Sequence, residues 1–163
     1  MSQTATSPPP PEPRCSAVGD CGPSVLALSE VAAGDPAVVG GKAAALHRAA
    51  AAGLPTLGGV VVPVGAPVTG RAPSSALVAE IRRRLGAGPL IARSSSPIED
   101  SAEGSMAGRF LSVGSLLDDV ALAAAIESVA RSGEQVAEQD GMVEVPSVAV
   151  LVQPMLDGVG GVC

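Results

Sequence analysis

The sequence predicts a mixed domain, α/β or α+β in architecture, on three observations. Short runs of aliphatic and β-branched residues, such as Val60 to Val64 and Val148 to Val152, suit strands. Ala-rich stretches with no internal breaker, such as Lys42 to Ala52, suit helices. The two kinds of segment interleave along the chain, which argues against a helical bundle or a β-sandwich. No internal repeat is visible.

Taken in order, residues 1–23 cluster prolines, serines and threonines without apolar periodicity. Such a segment buries too little surface to offset the entropy of ordering, so a disordered tail is expected there, with the domain over residues 24–163. Val25 to Leu28 form an apolar run suited to a strand, followed by a turn at Gly34, Asp35 and Pro36. The helix from Lys42 ends at Gly53, with Pro55 just beyond, the usual order of helix-stop residues. Val60 to Val64 read as a buried strand with Pro63 at its edge or end. Ser74 or Ser75 caps a helix through Leu85, with Gly86 as its stop. Leu90 to Ala92 and Phe110 to Val113 are further short strands. Asp118 or Asp119 opens a helix whose apolar face carries Val120, Leu122, Ala125, Ile126 and Val129. Val148 to Val152 is the last strand.

Composition bounds the function. The 163-residue chain is long enough for one domain with a core, and that core rests on aliphatic residues, since 47% of the chain is hydrophobic and only 1% aromatic. Apolar burial contributes roughly 25 cal/mol per Å², and alanine offers little area, so marginal stability without a partner is expected. A net charge of -6 and a pI near 4.6 speak against nucleic acid or an anionic membrane as partner. No apolar stretch reaches the roughly 20 residues that span a bilayer, and Met1 is followed by polar residues rather than a signal peptide, so a cytoplasmic location is expected. Cys15, Cys21 and Cys163 form no CxxC pair, and free thiols are expected rather than disulfides or a zinc site.

Three segments carry more chemistry than a scaffold needs. In Val39-Gly40-Gly41-Lys42, paired glycines lead into a helix, so backbone amides and a lysine share one helix start where an anion would be stabilised. The alternative is a turn with a solvated lysine. It is not a P-loop, because the spacing is absent and Ala43 stands where a serine or threonine would reach magnesium. In Ile91 to Ser96, a strand delivers Arg93 and three hydroxyls at its end, groups that suit phosphate oxygens. The alternative is an ion pair between Arg93 and Glu99 or Asp100. Gly104 to Gly108 is a small-residue loop able to bring backbone amides close to a ligand, or simply a flexible loop. His47, the only histidine, reads as a helix-surface residue rather than a catalyst. Asp118, Asp119, Glu127, Glu134 and Glu138 read as caps and solvated helix faces.

In this order the segments resemble the ATP-binding domain of the pyruvate phosphate dikinase, phosphoenolpyruvate synthase and rifampin phosphotransferase family. The resemblance runs from about Val25 to Cys163. It rests on Val39-Gly40-Gly41-Lys42, on Ala52-Gly53-Leu54-Pro55 leading into a valine strand, and on Arg93-Ser94-Ser95 with Glu99-Asp100. Ser105-Met106-Ala107-Gly108 and Val152-Gln153-Pro154-Met155 complete it. It implies the first part of an ATP-grasp nucleotide-binding domain, with Lys42 and Arg93 on the ATP phosphates, Gly108 in the loop that closes over them, and Gln153 at the adenine side. It implies that the acidic magnesium ligands and the phosphohistidine domain lie outside this chain, supplied by downstream sequence or by a second chain. No catalytic or metal-binding residue is therefore assigned here. Two departures stand out: Ala43 replaces a second helix-start glycine, and Arg109-Phe110 shortens the segment after Gly108. They keep a second expectation open, a degenerate domain that binds a protein or senses a nucleotide without catalysis. A fragment of a rifampin-phosphotransferase-like enzyme is a third.

Overall fold

Asp35 and Pro36 begin the first helix rather than a turn. The Asp35 side chain accepts a hydrogen bond from the Ala37 amide, and Pro36 occupies the first turn, where its missing N–H costs nothing. Helix α1 therefore spans Pro36–Ala51, six residues earlier than the expected start at Lys42. Gly40, at φ 76° and ψ 169°, splits it into two helical segments, and the second begins where the Gly-Gly-Lys motif predicted a helix start. The computed structural model describes residues 25–66, 73–97 and 111–156.

A two-residue strand β1 (Leu26–Ala27) and a 3-10 turn over Val31–Gly34 precede α1. Then come β2 (Val60–Val62), α2 (Ser75–Leu85), β3 (Leu90–Ser95), β4 (Ser112–Leu116), α3 (Asp119–Ala130), α4 (Ser132–Asp140) and β5 (Ala149–Pro154). The Ser74 hydroxyl caps α2 and Gly86 stops it, as the sequence predicts, and Asp118 caps α3 through the Ala121 amide. Several boundaries differ from expectation. Strand β3 runs on through Arg93 to Ser95 because it pairs with β5 over its whole length. Strand β4 starts at Ser112, and Glu134 and Glu138, expected on solvated helix faces, belong to the separate short helix α4.

The strands form one sheet in the order β1-β2-β5-β3-β4, every neighbouring pair antiparallel, so the mixed architecture is α+β. The last strand in sequence, β5, lies between β2 and β3 and is buried along its length up to Gln153. Side chains alternate between the two faces of a strand. Val60, Val62, Leu90, Ala92, Val150 and Val152 point to one face and pack with Leu77, Val78 and Ile81 of α2 and Leu122, Ala125, Ile126 and Val129 of α3. Val61, Ala149 and Leu151 point to the other and pack under Val39, Ala43 and Ala44 of α1. Val120, expected on the apolar face of α3, is 80% exposed, because the face that meets the sheet is set by Leu122, Ala125, Ile126 and Val129.

Polar links tie the helices to the sheet. Arg82 donates from Nε to Asp119, from Nη1 to the Gly88 carbonyl and from Nη2 to the Leu116 carbonyl, joining α2, the β4 end and the α3 start. His47, expected on the helix surface, is half-buried instead, with Nδ1 2.7 Å from the Leu28 carbonyl oxygen, and fastens α1 to the residue after β1. Among the described residues no helix is long and apolar enough to cross a membrane. The tail over residues 1–23, Cys15, Cys21 and Cys163, Glu99, Asp100, Phe110, and the Gly104 to Gly108 loop lie outside the described residues.

Candidate functional site

The close approach of α1 to the end of β3 begins with Gly40. A Cβ there would sit 2.0 Å from the Ser95 carbonyl oxygen and 2.5 Å from its Oγ, so only glycine lets the two backbones meet. The next turn is then stitched to β3. The Gly41 amide donates to the Ser96 carbonyl at 3.1 Å, and the Ala43 amide donates to Ser95 Oγ at 3.1 Å. Ser95 thus performs for the second helical segment the capping that a local serine usually performs, but from a strand 52 residues later in sequence. Lys42 lies between these two tethered residues and is half-buried.

Arg93 sits two residues before Ser95 on β3, paired with Leu151 on one side and Ser112 on the other. Ala92 belongs to the apolar face under α2 and α3, so strand alternation places Arg93 and Ser95 together on the α1 face. The structure therefore brings two of the three sequence segments, Gly40 to Lys42 and Arg93 to Ser96, into one place. It corrects one expectation: the amides of Gly41 and Ala43 are not exposed at the helix start but are consumed by Ser96 and Ser95. Ser94 and Ser96 bury their hydroxyls with no hydrogen-bond partner among the described residues.

Gln153 pairs with Ile91 and lies on the same face, 5% exposed. Its Nε2 donates to the Leu57 carbonyl at 3.0 Å, holding the connection between α1 and β2 against the sheet. Gly59 makes room for this, since a Cβ there would lie 2.8 Å from Gln153 Cγ. Gly108 lies outside the described residues.

No family model matches the chain, and no curated protein matches it. What the site can do is read from its own residues. Arg93 carries a planar fork of donors and Lys42 a point charge, chemistry that suits anionic oxygens. Among the described residues no group of three or more His, Cys, Asp or Glu could hold a metal ion. A groove of about 410 Å³ between Val78 of α2 and Val120, Ala123 and Ala124 of α3 lies on the opposite side of the sheet.

The sequence reading missed the use of Ser95 as a cap and of Gln153 as a loop anchor. A signal for the first was present: paired glycines at a helix start mark a close backbone approach, and the serine run offers the acceptor. For the second, Gly58-Gly59 before a valine strand is the corresponding mark.

Proposed function

We propose that this chain is the ATP-binding portion of a dikinase-type phosphotransferase, with Lys42 and Arg93 as its phosphate anchors. The carrying observation is the junction at Gly40 and Ser95, which fixes the lysine-bearing turn against the arginine-bearing strand. Two cations held by a rigid backbone junction suit a triphosphate, because little ordering is left to be done on binding. With Nε2 engaged on Leu57, Gln153 offers an adenine amino group its Oε1 as acceptor. By the resemblance, Gly108 would also contact the ATP phosphates. Magnesium would arrive with ATP, its protein ligands lying outside the described residues, and would offset phosphate charge. Phosphoryl transfer needs mainly positioning and electrostatic stabilisation, and this part of the site would supply the positioning. The phosphohistidine domain and the second ATP-grasp half would come from another segment or chain, in the cytoplasm.

A second reading, a non-catalytic interaction or nucleotide-sensing domain, has its own support. The amides of Gly41 and Ala43 and the Nε2 of Gln153 already serve the fold, leaving fewer groups for a ligand. Calorimetric titration of the chain with ATP, with and without magnesium, separates the readings. Saturable binding that weakens at least about tenfold in Arg93→Ala and in Lys42→Ala, the equivalent of one charge-assisted contact, supports the phosphate anchors. Binding unchanged in both variants removes them.

A further inference from the structure

We propose that Ser95 is a positioning residue for Lys42, acting on ATP affinity through the lysine rather than by touching the nucleotide. The inference rests on the nucleotide reading above and adds a residue to it. Ser95 is fully buried, and its Oγ is spent on the Ala43 amide at 3.1 Å. The same residue presses its carbonyl against Gly40, and its neighbour Ser96 holds the Gly41 amide. Lys42 is therefore bracketed: the residue before it is tied to Ser96 and the residue after it to Ser95. Arg93 stands two residues upstream on the same strand and the same face. One short stretch of β3 thus carries one cation and dictates the backbone position of the other. Through the Ala43 amide, the Ser95 hydroxyl holds the Lys42 backbone in register with the strand that carries Arg93.

Loss of the hydroxyl leaves the Ala43 amide without its acceptor and frees the first turn of the second helical segment to shift. The lysine then samples positions that a bound phosphate must select against, and apparent affinity falls with the fraction of chains correctly placed. The serine thus acts on affinity only while the lysine is present.

The test is a double-variant cycle on the full chain, read by calorimetric titration with magnesium-ATP and by thermal melting. In the wild-type background Ser95→Ala is expected to weaken ATP about tenfold, the size of one lost hydrogen bond's worth of positioning. In the Lys42→Ala background the same substitution is expected to leave ATP affinity unchanged while still lowering the melting temperature. Ser95→Cys fills the space with a poor acceptor and is expected to repeat the affinity loss, which keeps the cycle readable if the alanine variant does not fold. Equal losses with and without Lys42 would overturn the positioning role while leaving the nucleotide site standing. A folded wild-type chain that binds no ATP would overturn the nucleotide reading and this role with it.

Discussion

The face of the sheet under α2 and α3 is closed by the aliphatic side chains of Leu77, Val78, Ile81, Leu122, Ala125, Ile126 and Val129, with Arg82 of α2 also bonded to the Leu116 carbonyl of β4. The face under α1 is closed by one helix whose buried side chains are Val39, Ala43 and Ala44, and it also carries Arg93, Ser95 and Gln153. The difference teaches where stability and chemistry reside. Large branched side chains without polar atoms can be packed densely and contribute most per residue, whereas alanines permit a close helix–strand approach that brings backbone amides within reach of Ser95. One face holds the fold together, and the other gives up apolar area to fix polar groups.

Substitutions can break that contrast, and the largest effect is expected at Ile126. This residue is fully buried under α3, so Ile126→Ala should cost about 2–5 kcal/mol of unfolding free energy by urea titration, with ATP affinity of the folded chain unchanged. A cost below about 1 kcal/mol would place the stabilising core elsewhere. Gly40→Ala comes next. It adds a Cβ 2.0 Å from a backbone oxygen at a residue with φ 76°, and overpacking together with a left-handed backbone predicts a loss of about 2–4 kcal/mol. Unlike Ile126→Ala, it should also abolish ATP binding in chains that remain folded, because it would separate the two proposed anchors. Gln153→Ala is the smallest. Loss of its bond to Leu57 should cost about 1 kcal/mol and speed amide hydrogen exchange across residues 54–59. Unchanged exchange there would mean that Gln153 does not hold the loop.

The same contrast explains what was legible in the sequence. Elements on the aliphatic face announced themselves: Ser74 and Gly86 bound α2 at both ends, and the spacing of Leu122, Ala125, Ile126 and Val129 marked α3. Val120 misled because periodicity alone does not say how wide a stripe the sheet will cover. On the α1 face local signals competed. Gly34-Asp35-Pro36 reads equally as a turn or as a cap with a proline in the first turn, and only the packing of Val39 beneath the helix decides for the cap. The candidate cations were legible as residue types, Lys42 after two glycines and Arg93 at the end of an aliphatic run. The docking of the turn from Gly40 to Lys42 on the end of β3 was not, because it depends on a hydrogen bond spanning 52 residues and on the central place of β5 in the sheet. Nor could the spacing Val-Gln-Pro-Met reveal that the Gln153 amide is engaged by a loop carbonyl.

The most direct test of the division between a structural face and a proposed phosphate-binding face is Arg93→Ala, measured for melting temperature and for magnesium-ATP affinity in the same preparation. The account predicts a melting temperature within a few degrees of wild type, about the effect of a substitution costing 1 kcal/mol or less, together with at least a roughly tenfold loss of affinity. A chain that melts far lower while binding ATP as well as wild type would contradict it, and would make Arg93 part of the framework instead of the site.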